Sequence, residues 1–156
     1  MHTGNNIIID APRKVIFDTV SDLPRWPERL PHYRYVRITG NDGMRDIVEM
    51  SAYRSAGRGR IPVSWVASYE ADREVMELRF EHLQKWTKGM IVVWTLTPTR
   101  DATRVEIAHS LKFRIRPLAR LAEPIIGWFI SEIASKTLAE FKKLIEQGRS
   151  EGEASR

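Results

Sequence analysis

The chain has 156 residues, with 25 Lys and Arg against 20 Asp and Glu, a net charge of +5 and no Cys. That length suits one domain and buries about two thirds of its unfolded surface without staples. The missing Cys excludes disulfides, thiolate metal sites and a thiol nucleophile. No apolar run reaches the roughly 20 residues of a membrane span, and the first residues lack a basic-then-apolar signal pattern, so a cytoplasmic location is expected. The basic residues are scattered, densest at Arg54-Arg58-Arg60 and Arg114-Arg116-Arg120, with no block of nucleic-acid-binding type. The positive balance either serves solubility or fits an acidic partner.

In chain order, a short β-branched strand (Ile7 to Ile9) runs into Ala11-Pro12, and a helix with Val15, Ile16, Thr19 and Val20 as its apolar positions follows. A turn carries Trp26-Pro27, and Tyr33 comes a few residues later. GNDG (Gly40 to Gly43) is a hairpin signal between strands over Tyr35–Thr39 and Met44–Arg54. SAGRGR (Ser55 to Arg60) reads as a mobile loop. Alternating strands are expected over Ile61–Glu70, Val75–Leu83, Gly89–Pro98 and Thr103–Arg114, with the inward faces carrying Trp65, Ala67 and Tyr69, then Phe80 and His82, Met90 and Trp94, and Ile107 and His109. Pro117 opens a final helix that Pro124 breaks or kinks and Gly127 weakens. From Trp128 to Gln147 its apolar residues fall at Ile130, Ile133/Ala134, Leu138, Phe141 and Leu144/Ile145, and Gly148 ends it. The expected organisation is one domain over residues 1–148 and a polar tail over 149–156.

One antiparallel sheet of about seven strands must cover its apolar face, and only the last helix is long enough to do it. The fold class is therefore α+β, a curved sheet gripping a C-terminal helix, with two short helices and loops forming a mouth at one end. The inward face mixes Trp65, Tyr69, His82, Trp94 and His109 with aliphatic residues. Such a wall suits a ligand cavity, because Trp and Tyr need partners for their polar atoms. A filled core whose aromatics bond to backbone is the alternative. A dry void of about 400 Å³ would cost on the order of 10 kcal/mol, so a hollow of that size needs polar wall groups and water or ligand inside.

His109 lies mid-strand between Ile107 and Leu111. It reads either as a neutral general acid–base or as a buried structural His donating to a carbonyl. His82, nearer a strand end, reads first as structural, and His32, beside Pro31, as solvated. Tyr33 offers a phenol at the mouth, for a ketone or enolate oxygen or for packing. Trp26 offers a flat face for a planar ligand, or a lid packed on the last helix. There is no H-x-x-x-H, no phosphate loop, no G-x-S-x-G elbow and no inward pair of carboxylates, so no metal or cofactor is expected.

Four segments in order resemble one family. Asp22-Leu23-Pro24-Arg25-Trp26-Pro27 resembles its D-x-x-x-W-P opening, WVASYEAD its central W-x-S-x-R strand, MIVVWTLTP its M-x-x-x-W-x-x-x-P strand, and ASKTLAEFKKLIE the close of its long helix. The chain thus resembles the polyketide cyclase/aromatase branch of the START-like, Bet v 1-like superfamily. The resemblance implies a helix-grip fold and a poly-β-ketone substrate presented by an acidic acyl carrier protein. It also implies aldol cyclisation with dehydration, and a pocket lined by Trp26, Tyr33 and Trp65. One departure stands out: the family's pocket Arg aligns with Tyr69, and the Ser before it with Ala67.

The expected catalytic set is Tyr33, His109 and Tyr69. The expected substrate-binding set is Trp26, Met50, Trp65, Phe80, His82, Met90, Trp94, Ile107, Ile130 and Ile133. The expected partner is a hydrophobic small molecule, with no nucleic acid and no membrane surface, on a monomer or homodimer. A non-catalytic carrier of a lipid, quinone or aromatic product is the alternative function. PLARLAEPIIGWFI (Pro117 to Ile130) could lie on a membrane, but its two prolines argue against a continuous amphipathic helix.

Overall fold

In a computed structural model, which describes residues 1–56, 58–111 and 116–154, seven strands form one fully antiparallel sheet in the order β1-β7-β6-β5-β4-β3-β2. The strands are β1 (His2–Ile9), β2 (Tyr33–Asn41), β3 (Asp46–Ala56), β4 (Gly59–Asp72), β5 (Glu77–His82), β6 (Ile91–Pro98) and β7 (Thr103–Ser110). Between β1 and β2 lie α1 (Arg13–Val20), a 3₁₀ turn (Leu23–Arg25) and α2 (Trp26–Arg29); a second 3₁₀ turn (Lys85–Thr87) joins β5 to β6, and α3 (Arg116–Ala154) closes the chain. The alternation of side chains along β5, β6 and β7 sets Leu78, Phe80, Trp94, Leu96, Val105 and Ile107 inward, into the core. This is the expected α+β helix-grip architecture.

Several boundaries differ from the sequence expectation, each for a physical reason. β1 starts at His2, because its residues pair with β7 from His2↔Ser110 through Ile9↔Thr103. The segment expected as a mobile loop is instead the end of a long hairpin, with β3 and β4 paired to Ala56↔Gly59. In α1 the buried positions are Ile16, Phe17 and Val20, while Val15 is 45% exposed, because the helix lays Phe17 rather than Val15 on the core. β7 ends at Ser110; the expected continuation through Phe113 to Arg114 lies outside the described residues, as do the side chains of Pro117, Arg120 and Pro124. The backbone of α3 runs unbroken past Pro124 and on beyond Gly148. That last turn is held from outside: Arg149 bonds to Asp10, and Glu146 accepts from the Asp10 amide at 2.8 Å.

α3 is fastened to the edge strand β1 by polar contacts that fix its register along the sheet. Asn5 Nδ2 donates to Ser131 Oγ and Ser135 Oγ, both at 2.8 Å, and Lys142 Nζ donates to the Ile8 carbonyl at 2.8 Å. Where α3 crosses the start of β1, Gly127 sits against Thr3 and Met1.

The short helices seal one end of the grip. Trp26 is 1% exposed; its Nε1 donates to the Val20 carbonyl at 3.0 Å, and its ring meets Tyr33 (5.1 Å), Phe141 of α3 (5.5 Å) and Trp94 of β6 (5.6 Å). Trp26→Ala should therefore lower the unfolding free energy by about 3–5 kcal/mol in urea titrations, and a loss under about 1 kcal/mol would contradict its role as a seal.

Candidate functional site

The sheet and α3 enclose a cavity with about 100 Å³ free for the centres of water molecules. Its floor is Trp26, Tyr33 and Thr137. Its sheet wall carries Met50, Trp65, Phe80, His82, Met90, Trp94, Ile107 and His109, and its helix wall Ile130, Ile133 and Ala134. It opens between Val63 and Ser64 of β4, Lys85 and Trp86 of the 3₁₀ turn, and Phe129 of α3. From Phe129 to Thr137, α3 spans eight residues, which sets the depth at about 12 Å.

Twelve of the thirteen residues named from the sequence line this cavity; Tyr69 does not. Tyr69 is buried on the inward face, but its hydroxyl donates to the Ser21 carbonyl at 3.0 Å and its ring packs on Phe80 at 4.9 Å. It ties β4 to the turn after α1, its hydroxyl proton is engaged there and it lies outside the cavity lining, so the catalytic assignment for Tyr69 is corrected to a structural one. The mouth is also not where the sequence places it. Trp26 and Tyr33 are nearly fully buried at the closed end, because α2 folds them under α3, whereas Trp86, 53% exposed, stands at the open end.

Tyr33 sits in a polar cluster that the sequence reading misses. Thr137 Oγ1 donates to the Ile133 carbonyl at 2.8 Å, as a helical Thr does, and is left with acceptor capacity on the cavity side. The Tyr33 hydroxyl bonds to it, and His32 Nε2 lies 2.9 Å from it. With the Thr137 proton given to the helix, the arrangement places the hydrogen of His32 on Nε2. His32 is thus half-buried against α3, not solvated, because β2 starts beneath the helix. Burial holds its pKa down at about 4, helped by the nearby Lys136 charge, and burial pushes the Tyr33 phenol up. A signal for Thr137 was present: it is the polar residue in the inward stripe of Ile130, Ile133, Ala134, Leu138 and Phe141.

The two wall histidines differ in their bonding. His82 Nδ1 is 2.9 Å from Thr87 Oγ1, and its ring lies parallel to that of Trp65, 6.1 Å between centroids. His109 Nδ1 is buried and has no hydrogen-bond partner, so the structural alternative of a carbonyl-bound imidazole does not hold for that nitrogen. His109 pairs in register with Val92 on one side and Thr3 on the other, and it lines the same cavity as His82. Burial lowers both pKa values to about 4, with the charge of His82 acting further on His109. Both rings are therefore neutral near pH 7. Among the described residues no cluster of three metal-ligating side chains occurs, and Lys85, at the mouth, is the charged side chain in the lining. Its Nζ donates to the Ser64 carbonyl at 3.2 Å.

This fold and cavity define a helix-grip protein with a hollow, aromatic-walled interior. Residues 9–142 match the model of the family described as polyketide cyclase / dehydrase and lipid transport, and the chain belongs to that family. A putative polyketide cyclase from Streptomyces cyaneus is 30% identical over 147 residues, covering 94% of each chain. In fold, the chain is similar to the Zhui aromatase/cyclase from Streptomyces sp. R1128 (TM-score 0.76, 13% identity, 94% of each chain). It is also similar to TTHA0849 from Thermus thermophilus (TM-score 0.75, 18% identity, 95% of this chain and 99% of that one). Among the described residues, no helix is long and apolar enough to cross a membrane.

The buried imidazoles give stability a pH dependence with a definite sign. The unfolded chain protonates its histidines near pH ~6.5, but the folded chain keeps His82 and His109 neutral down to about 4. Stability is therefore full above the unfolded value and falls as pH drops from there towards 4, by up to about 3 kcal/mol for each of the two. Thermal unfolding between pH 7 and pH ~4.5 should show Tm falling throughout, with the slope reduced in His82→Gln and in His109→Gln. A flat wild-type curve over that window would contradict neutral burial.

Proposed function

We propose that the protein binds a polyketide or similar apolar, polyfunctional molecule in this cavity and promotes its intramolecular aldol cyclisation and dehydration. The observation that carries this reading is that two neutral imidazoles and one phenol line a mainly apolar and aromatic chamber. It is supported by membership of the family and by the Streptomyces cyaneus relative.

The chemistry needs no oxidant or cofactor. A CH₂ flanked by two carbonyls loses a proton to the wall imidazole of His109, and the enolate carbon attacks a second carbonyl carbon of the same chain. The oxygen of that carbonyl takes up negative charge as the C–C bond forms; the Tyr33 hydroxyl turns from Thr137 to donate to it, and the proton held on His109 passes to it to give the hydroxyl. Loss of the resulting hydroxyl as water, with one further α-proton, gives the ring double bond. A weakly basic imidazole suits a carbon acid activated on both sides, and general acid–base positioning of this kind contributes roughly 10²–10⁴ fold. The Arg missing at Tyr69 leaves Tyr33 as the hydrogen-bond donor to the developing oxyanion. The polyketide would arrive on an acidic carrier protein.

The absence of a cation inside the cavity, among the described residues, favours a second reading, a non-catalytic carrier of a hydrophobic ligand. Native mass spectrometry separates the two: a stoichiometric co-purified lipid favours the carrier. With a poly-β-ketone supplied by a synthase and carrier protein, His109→Ala and Tyr33→Phe should each lower turnover about 10² fold or more. Wild-type product distributions in both variants would overturn the proposal. Tyr69→Phe, by contrast, should keep the product pattern and lose only about 1 kcal/mol of stability.

A further inference from the structure

The rim of the cavity carries a surface that the chemistry inside does not use. Trp86 and Trp128 are 53% and 58% exposed and Ile61 is 50% exposed, although Trp26 and Trp94 are almost fully buried. These residues are contiguous. The Arg54 guanidinium lies 5.2 Å from the Trp128 ring centre and 4.4 Å from that of Phe129, and Phe129 meets Trp86 edge-on at 5.8 Å. Ile61 is the cross-strand partner of Arg54, so their side chains share one face. The hairpin that carries Arg54 and Ile61 is latched to α3, with the Ser55 amide donating to Glu132 Oε1 at 3.1 Å and Lys136 Nζ to Ser55 Oγ at 2.9 Å. The aromatic groups are thus held on fixed elements around the opening.

One of the chain's basic clusters lies at the same place. Residues 54–65 and 83–92 hold Arg54, Arg58, Arg60, Lys85 and Lys88 and no acidic residue. Those five charges equal the whole net charge of +5, so the rest of the chain is balanced. Glu132, the carboxylate that faces the hairpin from α3, is paired with Lys136 at 2.7 Å.

We propose that this rim docks on an anionic lipid surface, with the cavity mouth opening onto it. Indoles with an apolar body and one N–H settle at the boundary between headgroups and acyl chains, and Lys and Arg beside them meet the lipid charge. Arg54 stacked on Trp128 can enter the headgroup layer with its charge still partnered. An acidic protein partner would answer the five charges, but two exposed indoles and Ile61 around an open, apolar chamber fit a fluid apolar phase from which a ligand can pass directly inward. Of the segment Pro117 to Ile130 first considered for a membrane, Trp128 and Phe129 belong to this rim. The proposal holds whether or not the cavity is catalytic.

The test is flotation of the full chain with vesicles of phosphatidylcholine containing phosphatidylglycerol at about 30 mol%. The protein should float with them and not with pure phosphatidylcholine, and salt at about 0.5 M should cut the bound fraction roughly tenfold. Trp86→Ala/Trp128→Ala and Arg58→Glu/Arg60→Glu change exposed side chains, so their Tm should stay near wild type while each pair lowers binding about tenfold or more. Lys143→Glu, a charge reversal on the exposed side of α3 away from the rim, should leave binding within about twofold. No flotation with anionic vesicles would overturn the proposal, and so would equal losses in the Lys143 variant, or binding to an acidic carrier protein with none to vesicles.

Discussion

Trp26 anchors the closed end of the molecule. Its indole N–H is satisfied by the Val20 carbonyl, so the ring can be buried without an orphan donor, and its faces and edges are taken by Tyr33, Trp94 and Phe141. That one packing event joins the short helices, the sheet and α3. It converts a curved sheet around a helix into a vessel with one floor and one mouth, and it sets Tyr33 over Thr137 at the bottom. The aromatic contacts therefore serve the site by shaping it.

The hollow that remains is affordable. At about 24 cal/mol per Å³, a dry cavity of the observed size would cost roughly 2–3 kcal/mol, a fraction of a domain's stability. It does not have to be dry, because Tyr33, His82, Thr87, His109 and Thr137 supply polar atoms around it and there is room for several waters. The imidazoles are buried enough to be neutral and weakly basic. A site that must move protons on and off carbon without holding a fixed charge can use such groups, and so can a cavity that admits neutral apolar ligands. The fold serves both, and only the bonding of each side chain distinguishes them.

Much of the wall was legible in the sequence because period-2 alternation in β4 to β7 assigns faces without knowledge of the partner strands. Trp65, His82, Trp94 and His109 follow from that rule. Depth along the strands does not. Tyr69 shares a face with Trp65, but four residues further on it reaches past the cavity to Ser21, which is a fact about where α1 ends. The mouth was misplaced for a related reason. Trp26 and Tyr33 carry the family resemblance, and residues of that kind look like a lip until α2 is seen folding them beneath α3. The real rim, Trp86 with Phe129, joins a tight turn to a helix far away in sequence, and no local pattern links them. Gly148 and Pro124 read as helix stops because local propensity says so. The contacts of Arg149 and Glu146 with Asp10 outweigh it at the C-terminal end.

The proposed function requires a chamber that can take a planar, oxygen-bearing ligand among His82, His109 and Tyr33. Long-range proton–nitrogen NMR of the four imidazoles during titration with a dihydroxynaphthalene tests it most directly. His82 and His109 should show neutral tautomer signatures at pH ~7 and saturable shifts on adding the ligand, with His2 unmoved. A cationic signature for either ring, or ligand shifts confined to His2, would contradict it.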